Sequence, residues 1–321
     1  MTTSHIQLTG IISDELAGSR IDIALHRLFP QYSRTQLQKW LKNGSVKVNH
    51  LTQTEAKLRV AAADQITVET EIIPDLSFEP QSLPLDIIYE DPDLIIINKP
   101  VGLVTHPGAG NHDHTLMNAL LYHYPELASL PRAGIIHRLD KNTSGLLVIA
   151  RNSTSYQTLV SELQARTIKR EYRALVCGRL ISGGELTTNI GRHPVKRTLM
   201  TVLNSGGKIA RTHYYILQHF RYHTYLQVIL DTGRTHQIRV HMSYLGFPLV
   251  GDPDYNRPYT HLANLTTEAD NALLNFKHQA LHAIKLTLKQ PSNHELLTFT
   301  APLPNDFAGL LKALTDDLKN S

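Results

Sequence analysis

The chain has 321 residues, 41% hydrophobic and 19% charged, which suits one large domain plus a small one and excludes a disordered polymer. A single cysteine, Cys177, excludes a disulfide framework or a cysteine-built metal site within one chain. The net charge is only +4 but is unevenly spread: Gly18–Ala62 holds eight Lys/Arg against two acids, and Arg132–Arg211 fourteen against four. Two basic regions suggest a polyanion touching both parts of the molecule, although solvated surface faces account for charge alone equally well. Residues 1–20 lack a basic start followed by an apolar stretch, and no apolar run nears the ~20 residues of a membrane span, so a soluble, cytoplasmic protein is expected.

Residues 14–75 read as a small module. Ile21, Leu25 and Leu28 have helical spacing. Ser33 looks like an N-cap, with Gln36 completing a capping box; Leu37, Trp40 and Leu41 form the apolar stripe, and Gly44 ends the helix. The opposite face carries Arg34, Gln38, Lys39 and Lys42. Short strands follow at 46–49 and 64–68. Residues 76–85, with Pro80 and Pro84, read as a linker, and 86–315 as the larger domain. There, 85–89 and 94–98 flank the turn Glu90-Asp91-Pro92-Asp93 and form a hairpin. Further strands are predicted at 146–150, 171–178, 212–220, 224–230, 280–288 and 296–300, and helices near 115–124, 154–166 and 235–245. Strands outnumber helices without regular alternation, which predicts an α+β fold on a mixed, mostly antiparallel sheet. Residues 259–275 carry little pattern and read as a loop or insertion.

Three segments carry chemistry. In Gly134 to Gly145, one acid, Asp140, stands among His137, Arg138 and Lys141, beside apolar strand sequence. Nearby cations keep such a carboxylate ionised, and an apolar wall makes its charge more consequential. In Asp231 to His241, Arg234 stands at an expected helix entrance, where a guanidinium can fork onto a carboxylate. Two readings stand: Arg234 pairs with Asp140 across a cleft, or it serves as a phosphate contact or a structural helix start. In Lys169 to Arg173, Tyr172 is either a core aromatic or a platform for a base. Arg192, Lys196 and Arg197 form a basic loop suited to phosphates. Eighteen histidines show no metal-ligand spacing, and Asp252-Pro253-Asp254 is a weak metal signal, so no metal is expected. There is no phosphate-loop spacing.

The chain resembles the RluA-type pseudouridine synthases across nearly its whole length. The matching motifs are His137-Arg138-Leu139-Asp140-Lys141, Arg170-Glu171-Tyr172 and Gly233 to His241, preceded by an S4-like RNA-binding module at 14–75. Phe78 to Gln81, Val104 to Asn111 and Arg192 to Arg197 point to a subgroup acting on 23S large-subunit rRNA, by analogy at the helix 69 stem-loop. Departures lie at 112–114 and 259–275. The resemblance implies an isomerase that breaks N1–C1′ of a uridine and joins C5 to C1′, without a cofactor. It implies Asp140 as the catalytic acid, Arg234 as its partner and Tyr172 as the base platform. Arg138 would fill the gap left by the flipped base, and Ile238 would be an apolar wall. Arg34, Lys39, Lys42, Arg192, Lys196 and Arg197 would grip RNA. A monomer is expected. The competing readings are a sister synthase acting on other rRNA or tRNA uridines and a non-catalytic S4 ribosome-assembly factor; a pure binder has no use for Asp140, Tyr172 and Arg234 together.

Overall fold

A computed structural model describes residues 4–30, 32, 34–72, 79–108, 111 and 113–320. The expected cap Ser33, residues 76–78 of the expected linker, and Ala109, Gly110 and His112 lie outside the described residues. The chain divides into two units, Met1–Ser77 and Phe78–Ser321.

The first unit runs β1 (Ser4–Ile11), α1 (Ile21–Leu28), α2 (Arg34–Lys42), β2 (Val46–Val48), β3 (Leu51–Gln53) and β4 (Gln65–Ile72). Its antiparallel sheet has the order β1-β4-β2-β3. Ile21 and Leu25 of α1 pack with Leu37, Trp40 and Leu41 of α2 over Val46, Ile66 and Val68, so the helical stripes read from sequence do form the core. The β2–β3 hairpin turns on Asn49 and His50 at φ 48° and 67°, the left-handed pair that a two-residue turn requires. The sequence signal for this turn is weak because histidine stands where glycine is usual.

The second unit runs β5 (Ile87–Glu90), β6 (Leu94–Lys99), α3 (Leu116–His123), β7 (Ser144–Ala150), α4 (Ser153–Ala165), β8 (Lys169–Cys177), β9 (Gly184–Arg192), β10 (Met200–Leu203), β11 (Lys208–His219), β12 (His223–Leu230), α5 (Gln237–Tyr244), α6 (Thr267–Asn275), β13 (Leu281–Lys289), β14 (Leu296–Thr300) and α7 (Asn305–Lys319). The sheet order is β10-β9-β11-β12-β8-β13-β7-β6-β5, with β14 on β13. Among the described strands only β7 and β13 pair in parallel, so the expected mixed, mostly antiparallel α+β architecture is the one observed. Gly145, at φ +110°, makes that parallel contact possible: a Cβ there would lie 2.3 Å from the Ala283 carbonyl oxygen.

Strand alternation explains the burial. Leu147 and Ile149 of β7 face Leu120 of α3 and Ile238 and Met242 of α5, whereas Leu146 and Val148 face Leu159 of α4 on the other side. Tyr172, opposite Val228, lies on the face shared with α5. One expectation fails in 259–275, where residues 267–275 form α6 instead of a loop. The Thr266 side chain accepts from the Ala269 amide and caps it, and Ala269 and Leu273, four residues apart, are its buried side. Two buried residues in nine give too short a stripe to stand out from the sequence.

Candidate active site

A cleft of about 500 Å³ opens beside the C-terminal end of β12 and the start of α5, against the segment that leads into β7. Asp140, Tyr172, Arg138, Arg234 and Ile238 all line it, so residues far apart in sequence converge as expected. Asp140 is held in a turn closed by the Thr143 amide donating to the Asp140 carbonyl at 3.0 Å. The preceding carbonyl, of Leu139, accepts from the Thr105 hydroxyl at 2.8 Å. The following residue is fixed from below by Lys99. This fully buried amine donates to the carbonyls of Pro100, Leu103 and Lys141 at 2.7, 2.9 and 3.1 Å. Burial pulls Lys99 down to about 7, against the negative charge of Asp140, which favours the ammonium.

The partner of Asp140 is Arg239 and not Arg234. Arg239 Nη1 donates to Asp140 Oδ2 at 3.4 Å, whereas Arg234 turns its Nε onto the Ile209 carbonyl at 3.0 Å. The local backbone gives the reason. His236 takes a left-handed conformation, φ 54°, so α5 begins only at Gln237. Arg234 is thereby left in the turn, its amide donating to Gln237 Oε1 at 2.9 Å. Arg239, in the first turn of the helix, points inward. His137, counted from sequence among the cations around Asp140, is a further correction. Burial drives it down to about 3, and its Nε2 accepts from the Val148 amide at 3.4 Å, so it is neutral.

Arg239 is itself clamped. Asp252, fully shielded from solvent, accepts from Nε at 2.7 Å and from Nη2 at 2.8 Å, and Asp254 accepts from Nη2 at 2.6 Å. The Asp252-Pro253-Asp254 turn, read from sequence as a weak metal signal, is the socket of this guanidinium. Three carboxylates around one buried arginine hold it charged and pin its direction. The Tyr255 ring lies under Arg239, 4.8 Å from ring centroid to guanidinium carbon. The Tyr255 hydroxyl accepts from the Met200 amide and meets His236 Nδ1, both at 2.8 Å. The other nitrogen of His236, Nε2, stands 3.9 Å from Asp140 Oδ1. Burial keeps His236 below its ordinary range, which leaves it a neutral neighbour of the acid. Asp140 therefore has one oxygen against a guanidinium and one facing open cleft and a neutral imidazole.

Tyr172 is 5% exposed and closes the cleft floor beside Ile238. Burial raises its phenol above the ordinary value, with Arg170 opposing and Asp140 adding to the rise, so it stays protonated. Arg138 is exposed at the cleft mouth. The remaining basic residues lie elsewhere. Lys39 and Lys42 are exposed on α2. Arg34 is not a free cation: its Nη2 donates to the buried Asp22 at 2.6 Å, where Arg20 and Gln38 also converge. Arg192, Lys196 and Arg197 are exposed at the β9–β10 connection, where Arg192 Nη1 donates to the Arg197 carbonyl at 2.7 Å. Among the described residues no group of three or more His, Cys, Asp or Glu could hold a metal, and no helix is long and apolar enough to cross a membrane.

The cleft is thus an acid on an arginine, beside a buried tyrosine, with basic residues at its mouth, in a chain that also carries a small basic-faced unit. Comparison with known proteins gives the class. The RNA pseudouridylate synthase family matches residues 93–244, and the S4 domain matches residues 19–66. The ribosomal large subunit pseudouridine synthase D of Haemophilus ducreyi is 49% identical over 98% of this chain and 97% of its own length. The protein of that name in Escherichia coli strain K12 is 46% identical over 98% and 96%. Among solved structures, human RNA pseudouridylate synthase domain containing 1 aligns at TM-score 0.53 with 26% identity, over 71% of this chain and 87% of that one. Human RNA pseudouridylate synthase domain containing 4 shares the fold at TM-score 0.56 with 24% identity, over 72% and 93%. The chain belongs to the RNA pseudouridylate synthase family and is an RNA pseudouridine synthase with an S4 domain.

Proposed function

We propose that this enzyme isomerises uridines of large-subunit ribosomal RNA in the cytoplasm, its target being the helix 69 stem-loop, and that Asp140 carries the chemistry. The substrate class is supported by relatives 46–49% identical over nearly the full chain whose names give the ribosomal large subunit. The observation that carries the assignment of Asp140 is its geometry: one oxygen held by Arg239, the other open to a cleft floored by Tyr172.

The isomerisation breaks N1–C1′, turns the base and forms C5–C1′; N1 gains a proton and C5 loses one, so nothing is consumed. Asp140 acts at C1′, by attack or by stabilising the charge that develops there as the base leaves. Arg239 takes the role expected of Arg234, pairing with that carboxylate and aiming it. The uridine reaches the cleft only if flipped out of its stack, which costs a few kcal/mol. Arg138, exposed at the mouth, fills the vacated place. Tyr172 and Ile238 offer the base a flat, apolar floor. Residues 14–75 act as an RNA-binding arm through Lys39 and Lys42, with Arg34 contributing only the part of its guanidinium not spent on Asp22. Residues 76–85 tether that arm to a catalytic domain spanning 86–315. The β9–β10 connection, with Arg192, Lys196 and Arg197, adds phosphate contacts.

The test is to map pseudouridines in the ribosomal RNA of cells lacking the protein, with and without a plasmid copy. Loss and return of pseudouridine in helix 69 is expected. Loss at other rRNA or tRNA positions instead would assign the enzyme to the sister specificity.

A further inference from the structure

Arg170 is a cation that the catalytic scheme leaves unused. It is 7% exposed, and its Nε is buried without a hydrogen-bond partner. Its side chain makes no ion pair or hydrogen bond with any described residue. Among the described residues no acid comes within ion-pair distance of it: Glu171 accepts from Arg173 at 2.6 Å, Asp231 faces His213 at 3.1 Å, and Asp140, with one oxygen on Arg239 at 3.4 Å, turns the other to the open cleft and not to Arg170. Its Nε is withdrawn from water with no partner, which is costly, while its Nη atoms keep access to the cleft; folded proteins normally pair such a group. Its place shows where a counter-charge can come from. Arg170 lines the same cleft as Asp140, and its Nη1 lies where Gly233 leaves room: a Cβ on Gly233 would stand 2.7 Å from it. Gly233 belongs to the turn of the cleft wall, so the absent side chain opens space for the guanidinium within the cleft.

We propose that Arg170 is an anion subsite that binds one backbone phosphate of the RNA next to the flipped uridine; this rests on the functional reading above. The ligand is a phosphodiester and not a uracil oxygen, because a neutral carbonyl would leave the buried charge uncompensated, whereas guanidinium and phosphate match in charge and in fork geometry. The spacing agrees. Arg170 and Tyr172 share one face of β8, two residues and about 7 Å apart, a separation that a single nucleotide spans from base to backbone. The contact pulls the backbone of the target nucleotide toward the cleft while its base rests on Tyr172.

The experiment uses the full chain and a stem-loop of the large-subunit RNA in which single phosphates around the target uridine are replaced, one at a time, by neutral methylphosphonates. Binding and pseudouridine formation are measured for the wild type, Arg170→Gln and Arg170→Lys. One position is expected to weaken wild-type binding by about tenfold to a hundredfold, the worth of a charge-assisted hydrogen bond. Arg170→Gln should lose as much on unmodified RNA and nothing more at that position, and Arg170→Lys should recover part of the loss. If Arg170→Gln does not fold, the wild-type series and Arg170→Lys carry the comparison. Equal additional losses for Arg170→Gln (or Arg170→Lys) and wild type at every position, or no sensitive position in the wild type, would overturn the subsite while leaving the enzyme's activity intact. A wild-type protein that forms no pseudouridine in this RNA would overturn the functional reading itself.

Discussion

Two acids in this molecule look alike in sequence and behave differently in the structure. Asp22 in the first unit and Asp140 in the second each stand among basic residues. Asp22 is wholly shielded, and Arg20, Arg34 and Gln38 crowd its two oxygens at 2.6–3.2 Å. Asp140 keeps 16% of its side chain exposed, and its cationic and imidazole neighbours stand at 3.4 and 3.9 Å. The first is a saturated acid that ties two helices together. The second is held in direction by one arginine and left with accessible lone pairs. What separates a structural carboxylate from a reactive one is therefore not the charge around it but whether its hydrogen-bonding capacity is already spent.

Breaking the socket of the reactive acid should have the largest effect. Arg239→Gln removes the cation that touches Asp140, Asp252 and Asp254 together, leaving buried negative charge. A loss of about 3–5 kcal/mol in stability is expected, read by urea denaturation, with pseudouridine formation reduced beyond the loss of folded protein. A shift no larger than that of a surface substitution would remove Arg239 from its place here. Acid should come next. His223, His241 and His282 are each driven by burial from 6.5 down to about 4. The unfolded chain therefore binds their protons first: stability is complete above 6.5 and falls as pH drops toward about 4. A flat denaturation midpoint across that window would refute neutral burial of these rings.

Asp22→Asn should lower the stability of the first unit by about 1–2 kcal/mol, since its arginine partners are partly exposed, with kcat per folded molecule unchanged. The contrast with the reactive acid would blur if this substitution also slowed turnover at saturating RNA. Tyr255→Phe removes the hydroxyl held to His236 while keeping the ring under Arg239. About 1 kcal/mol is at stake, so kcat should drop about fivefold with KM nearly unchanged. Smallest is the paired change Lys39→Ala and Lys42→Ala, which should weaken RNA binding and flatten its salt dependence by roughly 0.7–0.9 logarithmic units for each phosphate no longer neutralised. An unchanged slope would show that α2 does not meet the RNA.

Much of this was legible in the chain. The apolar stripes of α1 and α2 and the alternation in β8 and β12 are short-range patterns, and they survive folding because burial rewards them directly; the hairpin of β5 and β6 is set by its turn, where Asp91 accepts from the Asp93 and Leu94 amides. Asp140, Tyr172 and Ile238 were legible because a strand end and a motif place them. The partner of Asp140 was not. Choosing between Arg234 and Arg239 depends on where α5 starts, and one left-handed residue, His236, sets that point. Nor could spacing connect Asp252 and Asp254 to Arg239, thirteen and fifteen residues upstream. Such contacts belong to tertiary structure, and a Pro-centred acidic turn has the same sequence appearance whether it faces a metal, an arginine or water. Arg170 is visible in the sequence only as a motif residue without a role, for the opposite reason: its proposed significance lies in a partner the chain does not supply.

The central claim is that Asp140 does chemistry while Arg239 holds it in place. The direct measurement is a single-turnover assay of pseudouridine formation in the large-subunit stem-loop by Asp140→Asn, with RNA affinity measured on the same preparation. The account predicts no detectable pseudouridine and affinity within a few-fold of the wild type. Turnover at the wild-type rate would contradict it.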